Sequence, residues 1–494
     1  MRHWIPIYIL LTSLTSAWAE TQDTLSARQT RQEIETYRQE TIDRSLMPSV
    51  YFDRQRHSTC DVTLRGRYDS DGIYMQRGKT NWDIRFGSEA YVRRNISVLW
   101  GNASYTNGRT EDMVWNENSD IDKIYPYLTA DTIGGDMKSE RYAFGGGYAG
   151  RKGLWTWGGH LGYTAKIEYR DIDPRPKNIT SDLEFAIGAS YGESRMADIA
   201  IAIERYKQSN DIEFLNDKGA SKIYHLTGLS QHYTRFAGSY DETFYDGREI
   251  KLTIGTHTAT REGLECHAGY AHNSLEKVLT ASGSNDLTIA SLKDYALEVE
   301  AHYVRNNIGA GLSHNQMKRD GRDHIYGEAT SGIYNQITKY TNYILRESET
   351  DVRAYYETEK YGIKAHVNYA RHKETKEIEA EEIKTSAIGE GIDIYGQIVG
   401  KKVTFRLDAN VGHATNTDKK LSLGATSGER QELVRLVESN YAIMSSDKTT
   451  CGVEATLMTD ISKYAMTIKI GWQREKYRQN DDTNRGAITM TFTF

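Results

Sequence analysis

Proline and cysteine are almost missing from this chain of 494 residues, which has 5 prolines and 3 cysteines. Cys60, Cys266 and Cys451 lie far apart, without metal-site spacing, and so few thiols exclude a disulfide scaffold. Cys266 and Cys451 fall within strand-like segments, where they read as small apolar residues. A basic excess is also missing: 62 Lys and Arg face 68 Asp and Glu, a formal charge of −6, which argues against a nucleic-acid partner. Beyond the N-terminus no apolar run reaches the ~18 residues of a membrane helix, and the mean hydropathy is −0.66. A polytopic helical membrane protein is therefore excluded. What is abundant is aromatic, with 34 Tyr, 10 Phe and 8 Trp, too many for a disordered chain.

The chain starts with an address. Arg2 and His3 precede a mostly apolar stretch, Trp4–Leu14, and Ala17-Trp18-Ala19 forms a small-x-small cleavage site before Glu20. Residues 1–19 thus read as a secretory signal peptide, too short to span a bilayer.

The dominant pattern afterwards has period two. Val403, Phe405, Leu407, Ala409 and Val411 alternate with Thr404, Arg406, Asp408, Asn410 and Gly412. Trp155, Trp157, Leu161, Tyr163, Ala165, Ile167 and Tyr169 share one face, and His160, Thr164, Lys166, Glu168 and Arg170 the other. The same alternation recurs to the end of the chain, at Ile488/Met490/Phe492/Phe494. Such strands build either a soluble sandwich or a membrane barrel. Length favours the barrel, because many run roughly 11–16 residues, against ~5–6 in soluble sheets and ~9–11 for a tilted membrane strand. Tyr and Trp gather near the ends of the apolar faces, as interfacial girdles require.

Short turns are expected near Arg94, Arg151–Gly153, Gly192–Ser194, Arg261–Glu262, Arg305–Asn306, Tyr361, Gly400 and Ile461. They alternate with longer connections, the longest being Asn107–Lys138, Lys207–Gly247, Lys318–Thr350 and Thr415–Lys448. The fold class that follows is all-β: a single transmembrane antiparallel β-barrel over residues 60–494. It has about eighteen strands (sixteen to twenty), short periplasmic turns and long extracellular loops. Glu168, Asp198, Glu204, Glu265, Glu298, Glu300, Arg353, Lys364, Arg406, Asp408, Glu454 and Lys469 are the candidate lumen-facing polar residues. They form either structural ion-pair ladders or a selectivity surface. Trp115, Tyr125, Tyr127, Tyr326 and Tyr334 are the candidate loop contacts, for a partner or sugar or as a folded cap.

Residues 20–59 form a polar N-terminal segment in which Ser26–Met47 has the pattern of a short helix, either a plug or a frayed tail. Gly188-Ala189-Ser190-Tyr191-Gly192 matches G-x-S-x-G but ends a strand and opens a hairpin, not the strand-to-helix elbow a nucleophile needs. Gly145-Gly146-Gly147 lies in a strand and reads as relieving curvature or packing under an aromatic. The acidic stretch Glu117–Asp122 lacks calcium-loop spacing. No cofactor is implied, and the chain reads as a non-enzyme.

Three stretches resemble a family of outer-membrane β-barrel proteins of unknown function from Bacteroidota. They are Tyr125–Gly150, Tyr169–Gly192 and Tyr206–Gly238. The likeness extends into outer loops, as at Asp173-Pro174-Arg175-Pro176-Lys177-Asn178, and weakens after about Thr375. It implies an outer-membrane location and a shared loop structure that covers the barrel or docks a partner. The expected function is passive or accessory transport of small polar solutes. The alternative is an occluded barrel whose loops bind a partner protein or surface glycan, and a barrel hydrolase ranks last. The expected partners are outer-membrane lipid, and envelope lipoproteins or a TonB-dependent transporter.

Overall fold

The computed structural model describes residue 28 and residues 47–54, 57–70, 74–215, 222–233, 241–280, 286–424, 430–461, 464–478 and 482–494. The signal-peptide reading, and the Ser26–Met47 helix apart from Arg28 and Met47, lie outside the described residues.

Eighteen strands form one antiparallel sheet. In chain order they are Thr59–Asp69, Thr80–Arg93, Ser97–Met113, Gly135–Lys152, Trp155–Tyr169, Arg175–Gly192, Arg195–Glu213, Asp241–Thr258, Gly263–Thr280, Leu287–Arg305, Ile308–Tyr326, Gln336–Glu357, Tyr361–Lys376, Glu381–Val399, Val403–Ser422, Lys448–Ile461, Tyr464–Tyr477 and Asp482–Thr493. Each pairs with its successor, and the first pairs with the last from Asp61↔Thr493 to Asp69↔Arg485. Phe494 completes the seam by exchanging backbone hydrogen bonds of 2.8 and 3.2 Å with Cys60. The sheet is a closed barrel with no open edge, as lipid demands.

All eight short turns fall where the sequence places them. Gly192 shows how one is made: its φ of 144° is open to glycine, and an added Cβ would collide with the Arg195 carbonyl. The outer connections are shorter than the sequence suggests, because the strands continue through them. Most of Lys318–Thr350, read as a loop, belongs to Ile308–Tyr326 and to the 22-residue strand Gln336–Glu357. Beyond the bilayer both faces of a strand meet water, so the apolar alternation stops while the backbone ladder carries on.

The pleat decides what faces what. Leu161, Ile187 and Ile254 are 55%, 51% and 53% exposed although they stand in the middle of paired strands. A closed sheet exposes such residues only outward, so the Ile-, Leu- and Tyr-bearing faces form the lipid surface. Trp155 and Trp157 mark its turn end. The polar faces point into the lumen. Gly147 faces inward and lies directly beneath the Trp100 indole, which an added Cβ would strike. The triple glycine therefore makes room for an aromatic.

Candidate functional site

The lumen is built over from its outer end. Residues 114–134 leave the ring between the third and fourth strands and fold inward rather than outward. Trp115, Ile124, Tyr127 and Leu128 join Tyr206, Tyr245, Leu275, Leu292, Leu433 and Leu436 in one buried cluster. The Tyr127 hydroxyl donates to Asp323 (2.9 Å) on the eleventh strand, and the Tyr125 hydroxyl to Glu374 (2.9 Å) on the thirteenth. Arg319 holds Asp294 through two bonds of 2.8 Å and donates to the carbonyls of Asp122 and Tyr125 at 3.0 and 2.7 Å. In a ring of eighteen these partners stand about half a circumference from the point where the segment leaves the wall. The segment therefore crosses the lumen along a diameter.

Its root is fixed by a buried charge network. The fully buried Arg170 guanidinium donates to Glu117 (3.1 Å) and Asp131 (2.7 Å), and also to the Pro174 carbonyl (2.7 Å). Asn178 and Asn210 each donate to the Glu117 carbonyl at 2.8 Å. Arg170, Pro174 and Asn178 belong to the Tyr169–Gly192 stretch, so the loop likeness seen in the sequence falls on residues that seat this crossing segment. Burial pushes the Asp131 carboxyl up, but Glu117, Arg170 and the Gly134 N–H bring it net below the usual carboxylate range.

Two further outer segments meet the first. The piece Tyr224–Gly228 pairs with Thr129–Ala130. Beyond it, the hydroxyl of Ser230 donates to Glu381 (2.7 Å) on the fourteenth strand. The helix Arg430–Met444 drops Leu433 and Leu436 into the central cluster and packs Val437 against Leu229 and Ile383. Three connections from three arcs of the ring thus interlock into one cap. Beneath the end of the helix lies a cavity of about 730 Å³, lined among others by Tyr74, Tyr477, Glu298, Asn315, Glu347, His372 and Lys448.

At the turn end, residues 47–54 sit inside the barrel mouth. Val50 is fully buried against Met47 and Ala200, and Tyr51 stacks on Trp100 with ring centroids 4.2 Å apart. Gly158 must be glycine, since a Cβ would lie 2.7 Å from the Pro48 carbonyl group. Asp53 is held by Arg151 and by His257 (3.3 Å), and His257 also bonds Asp198 at 2.8 Å. Burial pushes the Asp53 carboxyl up, but these partners bring it net below its ordinary value. Across the ring, Arg28 is buried against Asp460 (3.0 Å), Thr404 (2.7 Å) and the carbonyls of Gly400 and Lys401. Arg28 and residues 47–54 are therefore anchored on two opposite arcs of the mouth.

The polar residues read from the sequence all stand on inward faces, each with a partner. Glu168 meets Ser119 and Lys166, and Glu204 meets Lys123 of the crossing segment. Glu265 accepts from the Thr258 N–H and hydroxyl at 3.0 Å. Glu298 pairs with Lys251 (2.7 Å), Glu300 with Arg353 (2.6 Å) and Lys364 with Asp393 (3.2 Å). Arg406 pairs with Asp408 (2.6 Å) and Lys469 with Glu454 (3.7 Å). Of the loop aromatics, Trp115, Tyr125 and Tyr127 are core of the cap. Tyr326 is a buried strand end that donates to the Thr288 carbonyl (3.1 Å), and Tyr334 packs against its cluster. Glu117, Asp120 and Asp122 turn to different partners, Arg170, Lys166 and Arg77.

Ser190 of the G-x-S-x-G match lies within a strand and bonds Ser49 of the mouth segment at 2.8 Å. A serine–histidine contact does occur elsewhere, Ser291 Oγ to His324 Nε2 at 3.0 Å, with His324 Nδ1 3.3 Å from Gln336. Their neighbours Leu292 and Asp323 face the cap, so this pair stands on the outward side of the wall, away from the lumen.

The sequence profile of a family of unknown function, DUF6850, matches residues 48–494. The chain belongs to that family. No curated protein matches the sequence. Among solved structures, the DUF6850 barrel is similar to the ferric preacinetobactin receptor from Acinetobacter baumannii, at 8% identity over 89% of this chain and 80% of that one, with a TM-score of 0.46. It is also similar to the ferric yersiniabactin uptake receptor from Yersinia pestis, at 10% identity over 89% and 81%, with a TM-score of 0.42. The first is named as a receptor and the second as an uptake receptor, both for ferric compounds. With its closed seam and apolar exterior, the DUF6850 protein is a barrel of the outer membrane.

Proposed function

We propose that this DUF6850 protein is an occluded outer-membrane barrel that serves as an accessory transport component, passing a small polar solute only when its cap is displaced. A barrel of 16–18 strands has room for an aqueous channel. One observation carries the reading: the crossing segment spans that room and is tied to the far wall at Asp323 and Glu374. A standing-open porin has no use for a segment rooted by a buried ion-pair network at one wall and hydrogen-bonded to the opposite one. A displaceable cap calls for a partner that displaces it, and an envelope lipoprotein or a TonB-dependent transporter is the proposed one.

Planar-bilayer recording tests this. The full-length protein is expected to be silent, and a variant with residues 115–133 replaced by a short Gly-Ser linker is expected to conduct. Large stable steps from the full-length protein would overturn the reading. Silence from a folded linker variant would instead favour a closed barrel whose outer surface only binds.

A further inference from the structure

The alignment of strands brings together a set of basic side chains that are scattered in sequence. Arg65 on the first strand is the register partner of Arg85 on the second. Arg85 faces Thr106 on the third, Thr106 faces Arg141 on the fourth, and Arg141 faces Lys166 on the fifth. All point into the lumen, since their neighbours Ile84, Phe86, Tyr142 and Phe144 are the exposed lipid-side residues.

Like charges directly opposite on a sheet repel. Arg85 stands beside Arg65 and two strands from Arg141, while Asp83 and Glu89 lie on either side of it along its own strand. Both carboxylates are engaged elsewhere, however. Asp83 is held by Arg65 (3.4 Å) and Arg67 (2.8 Å), and Glu89 by Arg54 (3.0 Å). Lys166 is paired with Asp120 and Glu168. Arg85 and Arg141 make no hydrogen bond or ion pair with a described residue, and both are exposed while facing inward, so open lumen lies beside them. The next inward row toward the mouth is small: Thr63, Gly87, Ser104, Ala143 and Thr164.

We infer that Arg85, Thr106 and Arg141 form a lumenal binding site for a tetrahedral oxyanion, a phosphate or sulfate group carried by the solute. Two guanidinium forks flank a hydroxyl one strand from each. The three donors stand side by side along one inward row, and none of the three is a carboxylate. Guanidinium is suited to oxyanions through paired N–H donors, and the small row keeps the space clear. This deepens the transport reading and rests on it for the solute's passage, but binding is measured apart from conductance.

The test is equilibrium dialysis of radiolabelled inorganic phosphate against full-length protein in neutral detergent at physiological chloride, with the linker variant beside it to guarantee access. Saturable binding of one phosphate per chain is expected in at least the linker variant. Sulfate should displace it and acetate should not. Arg85→Gln/Arg141→Gln should weaken binding about a hundredfold, the loss of two charge-assisted contacts. Arg371→Gln, on the outward face, should leave it unchanged. Absence of saturable binding in both proteins would overturn the inference, as would an unchanged affinity in the double variant. Equal displacement by acetate would overturn the tetrahedral assignment. Phosphate binding by a linker variant that fails to conduct would leave the site standing and remove the transport reading.

Discussion

The phenol of Tyr127 and the carboxylate of Asp323 meet at 2.9 Å, although 196 residues separate them and they come from opposite sides of the barrel. Asp323 has two other partners, Asn342 (3.1 Å) and Lys376 (3.0 Å), which keep it in place whether or not the tyrosine is there. The bond is therefore a tie on the cap and not a support of the wall. Tyr127→Phe removes a hydrogen bond to a charged group, worth about 1.5–3 kcal/mol. Brief opening events are expected in bilayer recordings of this variant, with the barrel's heat-modifiable migration on gels unchanged.

Arg170 carries a heavier load. Its side chain is fully buried between Glu117 and Asp131, and Arg170→Met leaves both carboxylates without their cation. Removing one partner of a buried ion pair costs about 3–5 kcal/mol. The segment 114–134 should then become sensitive to externally added protease in intact cells. Full protection of this variant would show that the root of the cap is held by other contacts.

Acid should act on the same point. The Asp131 carboxyl is held below its ordinary value. Its contribution is fully present above the unfolded value of about 3.9 and is lost as pH falls through the folded value. Cap protection against an acid-tolerant protease should thus be flat from neutrality to about pH 4 and fall below that. Asp131→Asn should be less protected at neutral pH and show a smaller acid step.

The mouth segment makes its own prediction. Ser49 and Ser190 touch through their hydroxyls at 2.8 Å. In a background with Cys60, Cys266 and Cys451 replaced by Ser, Ser49→Cys/Ser190→Cys should form a disulfide on mild oxidation, read as a mobility shift reversed by reductant. Two thiols that both remain open to alkylation would place residues 47–54 outside the mouth.

The wall was legible in the sequence and its contents were not. Alternation such as Val403–Val411 is a local signal with a single physical cause, one face in lipid and one in water, so strand number, turns and inward residues can be read from it. The signal lapses where both faces are wet, which is why Lys318–Thr350 reads as loop but is mostly strand. The fold of residues 114–134 has no period. It is set by contacts such as Tyr127 with Asp323 and Arg170 with Glu117, which no local window contains. Trp115, Tyr125 and Tyr127 stand out in the sequence as aromatics in a loop, but nothing local says that they pack inward. Arg65, Arg85 and Arg141 are likewise missed. Each sits on a polar face, and only the register turns three separate residues into a row.

The account depends on residues 114–134 crossing the lumen, and a photo-crosslink tests this most directly. Tyr127 is replaced by p-azidophenylalanine, a side chain of nearly the same shape, and the full-length protein is irradiated in intact outer membranes. Mass spectrometry should find the label joined to the strand Ile308–Tyr326, near Gly321 and Asp323, beside which the Tyr127 hydroxyl sits. A label that couples only within its own loop or to external quenchers, with no product on that strand, would contradict the crossing.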